Sequence, residues 1–247
     1  MSTRLGPDQL AALAQLTTPA LANAIETFGL RANTEGFCGP EIRPLFPELG
    51  PMVGYACTLR IAAGEPAQHG AAGAPLEYWE YVAESRAPQV VCVQDLDAVP
   101  VGAFWGEVNS NVHTRLGCIG TVTNGGVRDI EEMHAVGFRA YASAVLVSHA
   151  YVRVVDFGEP VQIGRLTIQP GDLIHADRHG VLVIPPDIAA DLPRIAGEIE
   201  GLEREIIQCC RAPNFTPAKL AEVWNSAVSR WPKPRAAWRK PDGAEIL

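Results

Sequence analysis

The residues best suited to chemistry lie in one short stretch, Asn124–Asp129, with the sequence NGGVRD. Consecutive small residues allow backbone N–H groups to converge on an anion. Arg128 adds a planar guanidinium that matches a carboxylate through two parallel hydrogen bonds. Asp129 supplies an oxygen ligand of the kind that holds a hard divalent cation beside such an anion. The stretch therefore predicts a carboxylate-binding site next to a metal ion.

The same residues also fit a purely structural interpretation. Asp129 and Glu132 have the spacing of a helix-capping box, with Asp129 at the N-cap and Glu132 three positions later. A cap of this kind stabilises a helix by about 1 kcal/mol. Capping accounts for the two acidic residues, but not for Arg128 or for the Gly-Gly pair before it. The sequence alone leaves both interpretations open.

Composition disfavours several classes of function. The chain has 247 residues and a net charge of −8, which argues against nucleic acid as a main partner because phosphate binding requires a basic surface. No apolar run has membrane-spanning length and no apolar leader stands at the N-terminus, so we expect a cytoplasmic protein without a membrane partner. The six cysteines form no CxxC pair, which disfavours a zinc knuckle.

The positions of the lysines bear on the reaction. Lys219, Lys233 and Lys240 are the lysines of this chain, and all lie near the end of the sequence, outside the apparent core. An enzyme that acts on carbonyl compounds through a Schiff base needs a buried lysine. If the chain is an enzyme of carbonyl compounds, a metal ion is therefore the expected electron sink.

The stretch Asn124–Asp129 is positioned by helices and strands predicted on both sides of it. A helix from about Gly106, an apolar strand Cys118–Thr123 and a second helix that ends at Gly137 surround the turn. Gln89–Gln94 is a nearly continuous apolar run, of the kind buried on both faces in α/β proteins. Further strands are predicted over 53–62, 138–143, 150–156 and 160–168, with two more within 170–185. Further helices are predicted over 7–29 with Thr18 as the N-cap, 76–85, 187–210 and 217–229.

Several motifs together resemble one family. They are Gly106-Glu107, GGVRD at Gly125–Asp129 followed by Glu132, and PGDLIHADRHGVLVIP at Pro170–Pro185. The N-terminal TPALANAIETFG, the IRPLFP at Ile42–Pro47 and the strand VGYACTLRI fit the same pattern. The chain resembles the 4-hydroxy-4-methyl-2-oxoglutarate aldolases, a family that also contains the regulator of ribonuclease E activity A. The resemblance covers about residues 15–210.

The resemblance implies a fold, an assembly and an activity. The fold would be a single layered α/β domain with a β-barrel-like core, related to swivelling phosphohistidine domains. We expect this domain over residues 1–211, and a C-terminal extension over 212–247 that packs on a neighbouring subunit. The assembly would be a homotrimer or homohexamer with active sites at subunit interfaces. Family enzymes are lyases that use Mg²⁺, Mn²⁺ or another divalent cation, cleave 2-oxo acids to pyruvate and commonly decarboxylate oxaloacetate.

The resemblance assigns the substrate-binding residues by position. Arg128 would bind the substrate carboxylate and, with Asp129, form the catalytic pair. The backbone amides that follow Gly106, at Glu107 and Val108, would bind the carboxylate at the pyruvate end. The base that removes the hydroxyl proton is not assigned by the resemblance, and a metal-ordered water and His113 are both hypotheses.

The metal ligands are assigned in the same way. Asp129 would hold the cation and Glu132 would support its water shell. A glutamate from the C-terminal helix of a neighbouring subunit would complete the shell, with Glu205 or Glu203 as the candidate. The turn begins with Asn124 where the family normally has an aspartate, so Asn124 is a weaker candidate oxygen ligand.

Asn23 is a second departure from the family pattern, since the family usually has an aspartate at that position of the early helix.

Two other functions stay open beside the lyase. One is a non-catalytic protein that binds and regulates a ribonuclease. The other is a metal-dependent dehydratase or decarboxylase that acts on a sugar-derived acid.

Overall fold

The computed structural model describes residues 5–66 and 75–233, which form helices and strands joined by turns and loops. The α-helices in these ranges are α1 (Pro7–Ala14), α2 (Thr18–Glu26), α3 (Leu76–Glu84), α4 (Glu107–Arg115), α5 (Ile130–Val136), α6 (Leu192–Arg211) and α7 (Pro217–Arg230). The strands are β1 (Arg43–Pro44), β2 (Met52–Ala62), β3 (Gln89–Asp95), β4 (Cys118–Thr123), β5 (Gly126–Val127), β6 (Arg139–Ala142), β7 (Ala144–Val145), β8 (Arg153–Phe157), β9 (Val161–Ile163), β10 (Leu166–Ile168), β11 (Leu173–Asp177) and β12 (Gly180–Ile184). A short 3₁₀ helix covers Pro47–Leu49.

One mixed sheet organises the compact unit Gly36–Pro186. Strands β2, β3, β4 and β6 are parallel to one another and form its centre. Antiparallel strands complete both sides, with β1 on β6 and the β11–β12 hairpin on β2. The apolar run of β3 is buried along almost its whole length, as its sequence predicts for a strand covered on both faces.

Strand β2 gives the sheet its curvature. Its 11 residues pair along one edge with β11 over the first part and with β8 over the second, with a bulge between Arg60 and Ile61. A bulge increases the local twist and bends the strand. The result is a nearly closed, barrel-like sheet in a mixed α/β fold, which confirms the fold class expected from the sequence.

The second compact unit joins the segment that ends at Glu35 to the segment that begins at Asp187. It contains α1, α2, α6 and α7, and α7 packs against α6. Arg230 of α7 binds both carboxylate oxygens of Glu205 on α6. The domain boundary at residue 211 and the packing of the C-terminal extension on a neighbouring subunit stay predictions.

The single helix predicted over 7–29 is wrong, because the chain forms two helices there. A continuous helix would place Pro19 in its interior, where the ring removes one backbone hydrogen bond and clashes with the preceding turn. The chain instead starts a new helix at Thr18, with Pro19 in the first turn. The N-cap is Thr17, whose side chain accepts a hydrogen bond from the Ala20 N–H at 3.2 Å, and not Thr18 as predicted.

The helix predicted over 187–210 begins later, at Leu192. Its predicted apolar positions include Ile195, Ile199 and Leu202, and these are buried. Within residues 5–66 and 75–233, no helix combines the length and the apolar character required to cross a bilayer.

Candidate functional site

A cavity of about 320 Å³ lies where the start of α4 meets the turn before α5. Its walls combine charged, polar and apolar groups. The lining residues are Ala103, Phe104, Gly106, Val108, Asn109, Arg128, Asp129, His149 and Val152. The structure thus brings together four of the residues predicted from the sequence, namely Gly106, Val108, Arg128 and Asp129.

Backbone contacts fix the turn that carries Arg128. Val127 forms a parallel bridge with Trp105, and the Arg128 N–H donates to the Trp105 carbonyl at 3.0 Å. On the other side, the Leu146 N–H donates to the Val127 carbonyl at 2.8 Å. Trp105 is buried, with 1% of its surface exposed. The turn is therefore anchored to the core on one side and to the end of β7 on the other.

Asp129 occupies the N-cap position of α5, but its side chain makes no capping hydrogen bond. Its Oδ2 atom instead accepts a hydrogen bond from the Glu107 N–H at 3.0 Å and lies 3.7 Å from the Arg128 Nε atom. Its backbone is left-handed, with φ 51° and ψ 53°. The capping-box interpretation is therefore wrong for Asp129. A left-handed conformation in a residue other than glycine is typical of functional sites, where surrounding structure holds the strain.

Gly106 permits the close approach of that carboxylate. A Cβ atom at Gly106 would lie 2.5 Å from the Asp129 Oδ2 atom, which is closer than such atoms can approach. Without a side chain there, Asp129 reaches the first amide of α4, one of the donors that a helix N-terminus leaves without an intrahelical partner. The Gly-Glu pair singled out in the sequence thus serves to bring α4 and Asp129 together.

The positive groups of the cavity are Arg128 and the N-terminus of α4. The Arg128 side chain is 39% exposed, so its guanidinium is accessible from the cavity. Among the described residues, none accepts a hydrogen bond from the Val108 N–H. A helix N-terminus carries a partial positive charge that favours an anion. The Glu107 N–H is used by Asp129 in this structure, so its predicted role in binding substrate stays a prediction.

The other predicted metal ligands lie elsewhere. Glu132 is exposed on α5 and is not among the described residues that line the cavity. Glu205 lies in the second unit, paired with Arg230, and Asn23 is also in that unit, on α2. Within the ranges that the structure covers, no three His, Cys, Asp or Glu side chains cluster closely enough to hold a metal.

Asn124 has a structural role that an aspartate could not fill. Its Oδ1 atom accepts a hydrogen bond from the Asp95 N–H at 2.8 Å, and its Nδ2 atom donates to the Asp95 carbonyl at 2.8 Å. An aspartate has no N–H to donate to that carbonyl. Asp95 as a residue is 3% exposed, and burial raises the pKa of its carboxyl. Asn124 therefore links the ends of β3 and β4, and its predicted role as a weak metal ligand stays a prediction.

With Asp129 as its carboxylate ligand, the cavity suits Mg²⁺ and does not suit zinc. Mg²⁺ commonly keeps several waters and binds through one or two carboxylates together with oxygen atoms of the substrate. A single carboxylate beside Arg128 in an open cavity fits this mode. It does not fit zinc, which takes three or four protein ligands from Cys, His, Asp and Glu side chains.

Comparison with known protein families shows which family this chain belongs to. The family model described as "RraA-like: Aldolase/RraA" matches residues 18–183. The chain belongs to the RraA-like family. This match covers most of the chain and confirms the resemblance drawn from the motifs.

The curated relatives match over parts of their length. Protein DlpA of Legionella pneumophila is 36% identical over 85 residues, which are 34% of this chain and 14% of that protein. A protein of Halalkalibacterium halodurans named "Putative 4-hydroxy-4-methyl-2-oxoglutarate aldolase" is 29% identical over 145 residues, which are 58% of this chain and 64% of that protein. The chain therefore spans less than two thirds of either relative.

Solved structures show the same fold at low identity. An uncharacterized protein from Pseudomonas syringae superposes with a TM-score of 0.70 at 22% identity, covering 92% of this chain and 97% of the other. Streptomyces coelicolor RraAS2, described as an unusual member of the RNase ES inhibitor RraA protein family, superposes with a TM-score of 0.66 at 21% identity. That match covers 85% of this chain and 100% of the other.

His113, one of the two bases considered from the sequence, is buried in this RraA-like chain. Its side chain is 0% exposed and is not among the described residues that line the cavity. Its Nδ1 atom donates to the Asn109 carbonyl at 2.6 Å, so its Nε2 atom accepts from the Tyr78 hydroxyl at 2.8 Å. Burial lowers the pKa of His113 to about 4. His113 is therefore a neutral core residue that positions α4 and not a base that can reach a substrate.

The lowered pKa of His113 predicts a pH-dependent stability. Well above pH 6.5 the imidazole is neutral in both the folded and the unfolded chain. As the pH falls towards 4, the unfolded chain binds a proton that the folded chain does not, so the free energy of unfolding decreases. We expect His113 to contribute a decrease of about 2–3 kcal/mol between pH 7 and pH 4.5. Urea denaturation at both pH values should show this decrease in the wild type, and a correspondingly smaller one in His113→Gln. Equal decreases in the two proteins would contradict the assignment.

The sequence did not single out several residues that line the cavity. Asn109, whose side chain donates to the Phe104 carbonyl at 2.5 Å, gave no motif signal. Phe104 and Val152 contribute apolar walls from segments far apart in the chain. Nothing in the local sequence of His149 separates it from a solvated loop histidine. Its position in the cavity follows from contacts across the fold.

Proposed function

We propose that this RraA-like chain is a divalent-metal-dependent carbon–carbon lyase. It would cleave a 2-oxo acid of the 4-hydroxy-4-methyl-2-oxoglutarate type to pyruvate by a retro-aldol reaction, and it would also decarboxylate oxaloacetate. The convergence of Arg128, Asp129 and the N-terminus of α4 on one cavity carries this proposal. The name of the Halalkalibacterium halodurans relative supports the choice of reaction.

The residues of the cavity divide into anion-binding and cation-binding groups. Arg128 binds the substrate carboxylate through its planar fork, and the Val108 N–H at the start of α4 offers a further donor. Asp129 would hold the metal, Mg²⁺ or Mn²⁺, on the same side of the cavity. A metal held there would supply Lewis-acid stabilisation of the negative charge that develops on the substrate. The Arg128 backbone is anchored through the bridge between Val127 and buried Trp105, so the guanidinium extends from a fixed point in the cavity wall.

The size and character of the cavity suit a small acid. A volume of about 320 Å³ lies at the lower end of ligand pockets. Phe104, Val108 and Val152 provide apolar surface beyond the charged groups. An acid with a short carbon chain therefore binds with its carboxylate at Arg128 and its remaining carbons against the apolar wall.

Two other functions remain candidates. The first, a non-catalytic regulator of a ribonuclease, agrees with the description of Streptomyces coelicolor RraAS2, whose likeness to this chain concerns the fold. A regulator that acts by surface contact does not need an arginine and a left-handed aspartate converging on a cavity, so this geometry favours the lyase. The second, a dehydratase or decarboxylase of a sugar-derived acid, would use the same cavity, and a panel of substrates would separate it from the aldolase.

The assembly proposed for the enzyme is a homotrimer or a homohexamer. A glutamate of a neighbouring subunit, Glu203 or Glu205, would then complete the water shell of the metal together with Glu132. In this chain Glu205 is bound by Arg230, so Glu205 would have to exchange that partner for the metal shell.

Pyruvate release tests the proposed function directly. The purified protein, loaded with Mg²⁺, is assayed with oxaloacetate and with 4-hydroxy-4-methyl-2-oxoglutarate, then with excess EDTA, and again after Mg²⁺ is restored. We expect turnover that EDTA abolishes and Mg²⁺ restores. A folded, metal-loaded protein that releases pyruvate from neither acid, yet retains a ribonuclease in a pull-down, would favour the regulator.

A further inference from the structure

His149 lies in the wall of the cavity that contains Arg128 and Asp129. Its ring is exposed, and its Nδ1 atom lies 2.8 Å from the Ala150 carbonyl oxygen. A carbonyl oxygen only accepts hydrogen bonds, so Nδ1 carries the hydrogen in this contact. The neutral ring therefore has its lone pair on Nε2, where it can accept a proton.

The segment around His149 is held by several hydrogen bonds. The Ala103 N–H donates to the Ser148 carbonyl at 2.9 Å, and the Ser148 hydroxyl accepts from the Ala150 N–H at 2.9 Å. The Val152 N–H donates to the His149 carbonyl at 3.0 Å. The first of these bonds ties the segment to the residues that precede α4, and the other two hold the turn around His149 itself.

The backbone next to His149 is also strained. Ala150 is left-handed, with φ 44°, although it has a Cβ atom. A Cβ atom at Gly102 would lie 2.5 Å from the His149 carbonyl oxygen, so only glycine allows the two segments to approach this closely. Strain of this kind persists where the surrounding structure imposes it, and it clusters at functional sites.

The other histidines in the described part of the chain are engaged elsewhere. His134 binds Glu48 at 3.0 Å, and His179 binds Asp177 at 3.1 Å. His113 and His175 are both 0% exposed. Of the histidines in residues 5–66 and 75–233, His149 is the one that lines the cavity.

We propose that His149 is the catalytic base of the retro-aldol cleavage, an assignment that rests on the proposed function of the cavity. The Nε2 atom takes the proton of the substrate's C4 hydroxyl. The electron pair of that O–H bond forms the C4 carbonyl, the C3–C4 bond breaks, and its electron pair remains on C3 of the pyruvate fragment. The protonated imidazole then returns the proton to C3, so that pyruvate and the second 2-oxo acid leave and the histidine is neutral again.

The proposed role of His149 as a base applies to only one of the two reactions assigned to this cavity. Retro-aldol cleavage requires a group that removes the hydroxyl proton. Decarboxylation of oxaloacetate has no such proton to remove, since carbon dioxide leaves directly and solvent can protonate the remaining carbon. A general base contributes about 10²–10⁴-fold to the rate of a step in which it takes a proton. Loss of His149 should therefore affect one reaction and spare the other.

The test compares both reactions in His149→Gln, which keeps a polar side chain but cannot carry a proton. We expect kcat for cleavage of 4-hydroxy-4-methyl-2-oxoglutarate to fall about 100-fold or more. Decarboxylation of oxaloacetate should stay close to the wild-type rate. His134→Gln is the matched control, because it makes the same change outside the cavity, and both of its rates should stay close to those of the wild type. In His149→Gly, added imidazole should restore part of the lost cleavage.

Three results would overturn the assignment. Unchanged cleavage in His149→Gln would show that the step does not need this imidazole. An equal fall in both reactions would assign His149 to substrate binding or to the shape of the cavity instead. If the wild-type protein were inactive on both acids, the proposed function and the role of His149 would both be refuted. This result is distinguishable from the other two because it is seen in the wild type, before any substitution.

Discussion

Replacing Arg128 by alanine is expected to lower kcat/KM for pyruvate release from oxaloacetate about 10³-fold. The guanidinium is the positive side chain that lines the cavity among the described residues, and it supplies a two-point contact to the substrate carboxylate. Lysine keeps the charge but not the planar fork, so Arg128→Lys should recover only part of the loss. Steady-state kinetics of the three proteins, with Mg²⁺ at saturation, measure the effect.

The structure provides a control for this substitution. Arg194 on α6 makes an exposed ion pair with Glu198 at 2.6 Å, so Arg194→Ala removes the same charge outside the cavity. Thermal denaturation should show both variants folded, because the Arg128 side chain is also partly exposed and its anchoring contacts are made by the backbone. An Arg128→Ala protein with the kinetics of the wild type would refute its role in carboxylate binding.

The local sequence was sufficient to predict the helices and strands that carry the site. The continuous apolar run of β3 and the apolar strand Cys118–Thr123 are both strands of the parallel centre. Gly137 ends α5 in a left-handed conformation, with φ 76°, as a glycine after a helix predicts. In these segments, hydrophobic pattern and turn residues favour the same structure as the tertiary fold, so the sequence signal is reliable.

The site itself depends on contacts that no local pattern contains. Asp129 and Glu132 have capping spacing, yet Asp129 binds the Glu107 amide, 22 positions away in the chain. Asn124 binds the backbone of Asp95, 29 positions away. His149 reaches the cavity because its neighbour Ser148 bonds to Ala103. The motif therefore locates the cavity, but the partners of each side chain follow from how the strands bring distant segments together.

Replacing Asp129 by asparagine is expected to reduce metal-dependent pyruvate release about 10³-fold. The substitution removes the carboxylate proposed to hold the cation and leaves an amide, which is a much weaker ligand for Mg²⁺. Asparagine also suits the position structurally, since it tolerates the left-handed conformation at φ 51° and its Oδ1 atom can still accept from the Glu107 N–H. Kinetics over a range of Mg²⁺ concentrations and calorimetric titration with Mn²⁺ measure the loss of activity and of binding.

Asparagine rather than alanine at position 129 separates an effect on metal binding from an effect on folding. Asp129→Ala would lose the bond to Glu107 and place alanine in a strained conformation, so its inactivity would have two causes. Glu131→Gln, which removes a neighbouring exposed carboxylate from the same helix, controls for charge alone and should leave turnover unchanged. If Asp129→Asn bound Mn²⁺ like the wild type, Asp129 would be a structural link between α4 and α5. A folded Asp129→Asn protein that has lost both Mn²⁺ binding and turnover would assign the carboxylate to the metal, because the hydrogen bond to α4 does not require the negative charge.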